Sequence, residues 1–229
     1  MDQPQRINFH THSFFSDGVL LPSELLRRAA AMGHRALAIT DHADASNIDE
    51  LVSRLRRFAS LQGGDFPLEF LVGVELTHAA PSSIAPLARR AKELGADIVL
   101  VHGETPVEPV RSGTNRATVE CPEVDLLAHP GFITPEEAAL AAEHGVILEL
   151  SSRRGHCLTN GHVAQVAQAA GAKLVVNTDA HEPSDLITQE TARLVAAGAG
   201  LTEDEVETAT VTNPEALLAR LTSRRHRQA

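Results

Sequence analysis

His10, His12 and Asp17, then His42, Glu75, His102 and His129, and finally Asp179 with His181, carry side chains of the types that divalent metals such as Zn, Mn and Fe accept as ligands. Nearly every group falls where a short apolar run ends. His10 and His12 alternate, so along an extended chain both point the same way and can clamp one ion. Asp17 follows in Ser16–Asp17–Gly18, where glycine permits a tight turn that returns the carboxylate to the histidines. Asp41–His42 closes the second run, Glu75 the third, His102 the fourth and His129–Pro130–Gly131 the fifth; Asp179–Ala180–His181 repeats the alternating spacing after the seventh. A lone histidine at a strand end is more often a hydrogen-bonded structural residue, and one H-x-H is weak evidence. Six of seven run ends bearing such residues is the signal, and its chemistry is metal-assisted hydrolysis at a multinuclear site.

The runs are Ile7–Phe9, Ala36–Thr40, Glu69–Val74, Asp97–Val101, Asp125–Ala128, Val146–Leu150 and Lys173–Asn177, short and β-type. Helical stretches lie between most of them, such as Pro22–Gly33 and Ser82–Gly95. Thr134–Pro135–Glu136–Glu137 has the N-cap, first-turn proline and capping-box glutamate of a helix start, and Gly145 fits its C-cap. Thr202–Glu203–Asp204–Glu205 repeats the box, and Asn213–Pro214–Glu215 opens a last helix. Strand and helix alternating about every 30 residues predicts βα units on a mainly parallel sheet. An open sheet gathers ligands at a switch point from few strands. Candidates at six strand ends instead predict an α/β fold closed as a seven-stranded barrel, a single domain over residues 1–229. Thr105–Pro122, with Pro106, Pro109 and Gly113, reads as a long active-site loop.

With 20 basic and 30 acidic residues the formal charge is 20 − 30 = −10, which argues against a protein that grips extended nucleic acid by electrostatics. Three divalent cations would bring the total to −10 + 6 = −4, compatible with a small anionic phosphorylated substrate. Trp and Tyr are absent, leaving few platforms for base stacking. Cys121 and Cys157 make no disulfide framework. There is no apolar leader at MDQPQRINFH and no run near the ~18 apolar residues of a membrane span, so a cytoplasmic protein is expected. The oligomeric state is open.

The ordered set H-T-H, S-D-G, T-D-H, G-V-E, V-H-G, A-H-P and T-D-A-H, spanning about Ile7 to His181, resembles the PHP (polymerase and histidinol phosphatase) family, and more narrowly its compact stand-alone histidinol-phosphatase-like members. That resemblance implies a distorted (β/α)7 TIM-like barrel, up to three metals and phosphoester hydrolysis. It implies His10, His12, Glu75 and Asp179 around one metal, with Glu75 bridging to a second held by His102 and His129. Asp17, His42 and His181 would hold a third; some members have histidine where this chain has Asp17. The implied mechanism is attack on phosphorus by a water that bridges two metals as hydroxide, with Glu75 and Asp179 central to catalysis.

Arginine suits the phosphate oxygens, because the guanidinium fork matches their geometry. Arg116 in the long loop is the first candidate for catalysis and substrate binding, and Arg153 or Arg154 after the sixth run the second. Asp41 is either an orienter of His42 or a capping residue. His34 and His144 read as helix-end residues. His78, His156 and His162 are left between supporting and surface roles, and Arg224, Arg225, His226 and Arg227 read as a disordered basic tail after 182–229 helices. The leading expectation is a small-molecule phosphomonoesterase. A phosphodiesterase or exonuclease acting on short oligonucleotides or nucleoside bisphosphates, an amidohydrolase, and a metal-stabilised scaffold are the alternatives. Specificity is expected in Thr105–Pro122 and Ser151–Gly161.

Overall fold

The computed structural model describes residues 5–228. Seven parallel strands follow the order β1 (Arg6–Asn8), β2 (His34–Ile39), β4 (Glu69–Leu76), β5 (Ile98–His102), β6 (Leu126–Ala128), β7 (Ile147–Ser151) and β8 (Leu174–Asn177); a two-residue strand β3 (His42–Ala43) lies off this path and pairs with β4. Helices α1 (Pro22–Ala31), α2 (Ile48–Gln62), α3 (Pro81–Glu93), α4 (Thr114–Val119), α5 (Pro135–His144), α6 (Asn160–Ala170) and α7 (Gln189–Gly198) alternate with them, followed by α8 (Glu203–Glu207) and α9 (Asn213–Gln228). This is the TIM-like α/β barrel expected, nearly closed.

The strands read as near-continuous apolar runs because both faces are covered. Ile98 and Leu100 of β5 pack into the barrel interior with Leu71, Leu126, Ile147 and Val175, while Val99 and Val101 join the layer between sheet and helices. Side chains two positions apart share a face, so Glu75, His102 and Glu149 continue the interior rows at the C-terminal strand ends.

Closure between β8 and β1 is carried largely by side chains. Beyond one parallel bridge, Thr11 to Ala180, the seam holds through His12 N donating to Ala180 O (2.8 Å), Phe9 N to Asn177 Oδ1 (2.9 Å), Asn8 Nδ2 to Thr178 Oγ1 (2.7 Å) and Arg6 Nη2 to Val176 O (2.7 Å). The seam therefore sets His10 and His12 beside Asp179 and His181.

Three expectations are corrected. Thr105–Pro122 is not all loop, because α4 forms within it. Its first amides are capped from outside the segment, with Glu104 Oε1 accepting from Gly113 N and Asn115 N (both 3.0 Å). The basic tail is ordered as α9, which plugs the N-terminal mouth of the barrel. Leu217, Leu218 and Leu221 join the interior cluster, Arg225 pairs with Asp97 and Glu69, and Arg224 with Asp125. A π turn over Thr208–Thr212 precedes Pro214, whose missing N–H breaks the regular ladder. His34 does not end a helix: it opens β2, is buried, and is pushed down to about 3 by burial and then by the Arg6 charge. His144 does end α5, its Nδ1 donating to Val119 O (2.7 Å), and α5 has the Thr134 capping box and the left-handed Gly145 C-cap.

Candidate metal centre

All nine sequence-selected ligand candidates meet at the C-terminal ends of the strands. His10 Nε2 lies 3.3 Å from Glu75 Oε2 and 3.5 Å from Asp179 Oδ1, and His12 Nε2 lies 3.0 Å from Asp179 Oδ1. Glu75, fully buried, also faces His42 Nδ1 (2.9 Å) and His129 Nε2 (3.5 Å). Asp17 Oδ1 sits between His181 Nε2 (3.1 Å) and His42 Nε2 (3.5 Å). His102 stands edge-on to His129, ring centroids 4.4 Å apart. The ligand atoms form tight groups within 4.8 Å: His10, His12 and Asp179; His12, Asp17, His42 and His181; and His102, His129 and His156.

Backbone strain aims two of these side chains. His129 (φ 27°) and Asp179 (φ 50°) occupy the left-handed region without being glycine, which costs about 1–2 kcal/mol each. The turn after His129 depends on Gly131 at φ 63°, where a Cβ would fall 1.9 Å from Glu104 O. Asp41 serves the loop rather than His42. It accepts from Ser13 N and Oγ (both 2.6 Å) and Ser16 Oγ (2.7 Å), which fixes the segment that carries Asp17.

Electrostatics divide neighbouring groups. Burial opposes charge on His10, but Glu149, Glu75 and Asp179 prevail and raise it well above the usual imidazole range. His12, two residues on, is pushed down to about 3 by burial and by His42. His42 is raised to about 10, Asp17 and Glu75 outweighing burial. Against burial, His10 above all holds the carboxyls of Glu75 and Asp179 well below their usual range, and His181 and His42 do so for Asp17.

Crowded as these atoms are, many make no hydrogen bond. His10 Nε2, both nitrogens of His12 and His129, both oxygens of Glu75 and Asp179 Oδ1 are buried without a partner of acceptable geometry. Orphaned buried polar atoms each cost about 1–3 kcal/mol and call for an explanation. Here they are imidazole and carboxylate lone pairs converging on common points, and divalent cations fit that donor set.

Sequence reasoning passed over two contributors, Glu149 and Glu108, and left a third, His156, between a supporting and a surface role. Glu149 Oε2 contacts His10 Nδ1 at 2.8 Å, the outer carboxylate partner that metal-binding histidines commonly have. Its only sequence signal was an acid inside the apolar run of β7. Buried His156 approaches the cluster with Nε2 3.6 Å from Asp179 Oδ2. Glu108 reaches His102 Nε2 at 3.1 Å from the Thr105–Pro122 segment and is held down to about 2, chiefly by that histidine. His78 lines the same cleft, whereas His162 bonds Ile133 O outside it.

The arginines separate. Arg153 reaches the cluster, with Nε 3.4 Å from Asp179 Oδ2 and Nη1 donating to Asp179 O (3.1 Å). It lines both a cleft of about 250 Å³ with Asp17, His42, His102, His156 and His181 and an adjoining one of about 430 Å³ with Arg154 and Val19. Arg116 is not brought to the cluster. It is exposed on the outer face of α4, paired with Glu120 Oε1 (2.6 Å) one turn away, and lines neither cleft.

A nearly closed parallel barrel with imidazoles and carboxylates crowded at its C-terminal rim is the architecture of metal-dependent hydrolases. The sequence matches the PHP domain over residues 8–196, and the chain belongs to the PHP family. An uncharacterized protein of Methanocaldococcus jannaschii is 50% identical over 217 residues, spanning 94% of this chain and 100% of its own length. A ribonuclease P protein component 3 of Methanosarcina mazei is 28% identical (95% and 90%), and a probable phosphatase of Shewanella frigidimarina is 31% identical (95% and 90%). A solved histidinol phosphate phosphatase of Lactococcus lactis shares the fold, with TM-score 0.60 at 15% identity over 86% of this chain and 95% of that one. No helix among the described residues is long and apolar enough to cross a membrane.

Proposed function

We propose that this protein is a metal-dependent phosphoesterase that hydrolyses a small phosphomonoester at a centre of three divalent cations. His10, His12, Glu75 and Asp179 hold the first, Glu75 with His102 and His129 the second, and Asp17, His42 and His181 the third. The observation that carries the reading is the convergence of orphaned imidazole and carboxylate lone pairs directly beside Arg153 in an open cleft. When bound, such cations supply Lewis acidity that neutralises phosphate charge and makes water nucleophilic near neutral pH.

The chain's own residues do the rest. Glu149 and Asp179 O orient His10 and His181 through their Nδ1 atoms (2.8 and 2.9 Å). Arg153 binds phosphate oxygens at the junction of the two clefts, and Arg154 meets the remainder of the substrate in the outer one. Phosphate release from a panel of monoesters, bisphosphates and diesters by Zn-, Mn- or Fe-loaded protein tests the reading. Turnover of monoesters above diesters is expected; a protein that holds its metals and releases no phosphate from any monoester would sink it.

A second reading is favoured by the whole-length similarity to a ribonuclease P protein component: action on, or assembly with, RNA. The acidic charge weighs against it. Preference for a diester over its monoester counterpart, or salt-sensitive binding of an RNA hairpin, would favour it instead.

A further inference from the structure

His156 lies outside the nine-residue set, yet its ring is built into the same cluster. It is 4% exposed, and a ring nitrogen of it groups with ligand atoms of His102 and His129 within 4.8 Å. Its ring lies nearly parallel to that of His129, 4.1 Å between centroids at 19°, and edge-on to His102 at 5.8 Å. Nδ1 sits 2.7 Å from Thr105 Oγ1; in the tautomer with the proton on Nδ1 the hydroxyl accepts it, and the lone pair is left on Nε2, the nitrogen that lies 3.6 Å from Asp179 Oδ2. The backbone is arranged for this placement. Gly155 precedes it at φ 92°, a conformation open to glycine, and a Cβ there would press on Val107 at 3.3 Å. Glu108 spans the pair, Oε2 3.1 Å from His102 Nε2 and Oε1 3.5 Å from His156 Nε2.

We propose that His156 is a tenth metal ligand, which joins His102 and His129 through Nε2 to make the second cation position a three-histidine site, with Thr105 fixing its ring. The inference rests on the metal-centre reading above and adds a residue to it. Three imidazoles favour a borderline metal such as Zn or Co over Mg or Ca, which prefer oxygen. The long segment after β5 then has a defined task, since Thr105 and Glu108 both come from it.

The test is Co²⁺ titration of the chelator-stripped full-length protein, followed by calorimetry and by the visible d–d bands, for wild type, His156→Ala and Thr105→Val. Circular dichroism of each stripped protein checks folding. In His156→Ala one binding step weakens by about 100-fold or more, beyond the 10–100-fold usual for an outer partner, with a change in the bands; in Thr105→Val the same step weakens by about 10–100-fold. Should His156→Ala misfold, Thr105→Val decides. If every step stays within about threefold of wild type and the bands are unchanged, His156 is not a ligand, since removing even an outer partner costs more. Phosphate release plays no part in this readout. A protein that binds Co²⁺ through His156 but hydrolyses no ester would overturn the proposed activity and leave this inference standing. A wild type that takes up no Co²⁺ would overturn both.

Discussion

The two mouths of the barrel both bury charge, and they treat it in opposite ways. At the N-terminal mouth Asp125 takes Lys92 Nζ (2.6 Å), Val99 N (3.1 Å) and Arg224 (3.2 Å), while Asp97 takes Arg56, Arg225 and Val72 N. At the C-terminal mouth Glu75 and Asp179 sit just as deep among imidazoles, with oxygens that nothing in hydrogen-bond geometry satisfies. Of these four carboxylates, the two at the bottom are paired and brace the fold, whereas the two at the top keep oxygens open, as the proposed metal centre requires. The top of this barrel carries strain and desolvation that the packing below supports.

The sharpest way to break that contrast is to exchange the fates of two carboxylates. Glu75→Gln at the top should lower kcat/KM by about 10³-fold or more, several kcal/mol of transition-state stabilisation, measured as phosphate release at fixed metal. In the metal-stripped protein the same change withdraws a carboxylate that raises His10 and His42 while Glu149, Asp179 and Asp17 remain beside them, so it should cost about 1–3 kcal/mol in urea titration. Asp125→Ala at the bottom should reverse the pattern. It strands Lys92, and it should destabilise by about 3–5 kcal/mol while the folded fraction keeps its activity and metal content. A stability loss from Glu75→Gln as large as that from Asp125→Ala would erase the distinction.

The arginines sharpen it further. Arg153→Ala should cost about 10–100-fold in kcat/KM, and Arg116→Ala, which breaks only a surface pair, should stay within about twofold. A further effect, of one group only, is on pH. His42 is raised to about 10, so in the stripped protein its contribution to stability is complete below the ordinary imidazole pKa of about 6.5 and is lost as pH climbs through about 10. Urea midpoints should fall by the equivalent of about 1–2 kcal/mol over that interval, and His42→Asn should flatten the slope.

How far the site could be read in advance follows the same division. The nine rim residues announced themselves because imidazole and carboxylate are rare at the ends of apolar runs, and strand period fixed which way Glu75 and His102 face. Glu149 was hidden because a single acid in β7 is equally what an exposed strand position shows. His156 needed the fold of the Ser151–Gly161 segment, which no local pattern specifies. Arg116 misled because loop membership was inferred from Pro and Gly, while the cap that turns Thr114–Val119 into a helix comes from Glu104, outside the segment. The basic C-terminus looked like a tail because its partners, Asp97, Asp125 and Glu69, lie about 100 or more residues upstream, as the separations of 99, 128 and 156 show.

Asn8 and Thr178 close the seam across 170 positions, so the rim is assembled from the first and last parts of the βα series. During synthesis the cation positions therefore cannot be complete until residue 181 has left the ribosome, and loop closure precedes any ligand that rewards it. A cation that binds only the closed form then weights the finished chain over every shorter one by mass action. On the proposed reading metal uptake reports completion: a chain cut before Asp179 can be supplied with every ion and still lack two of the nine side chains that would hold them.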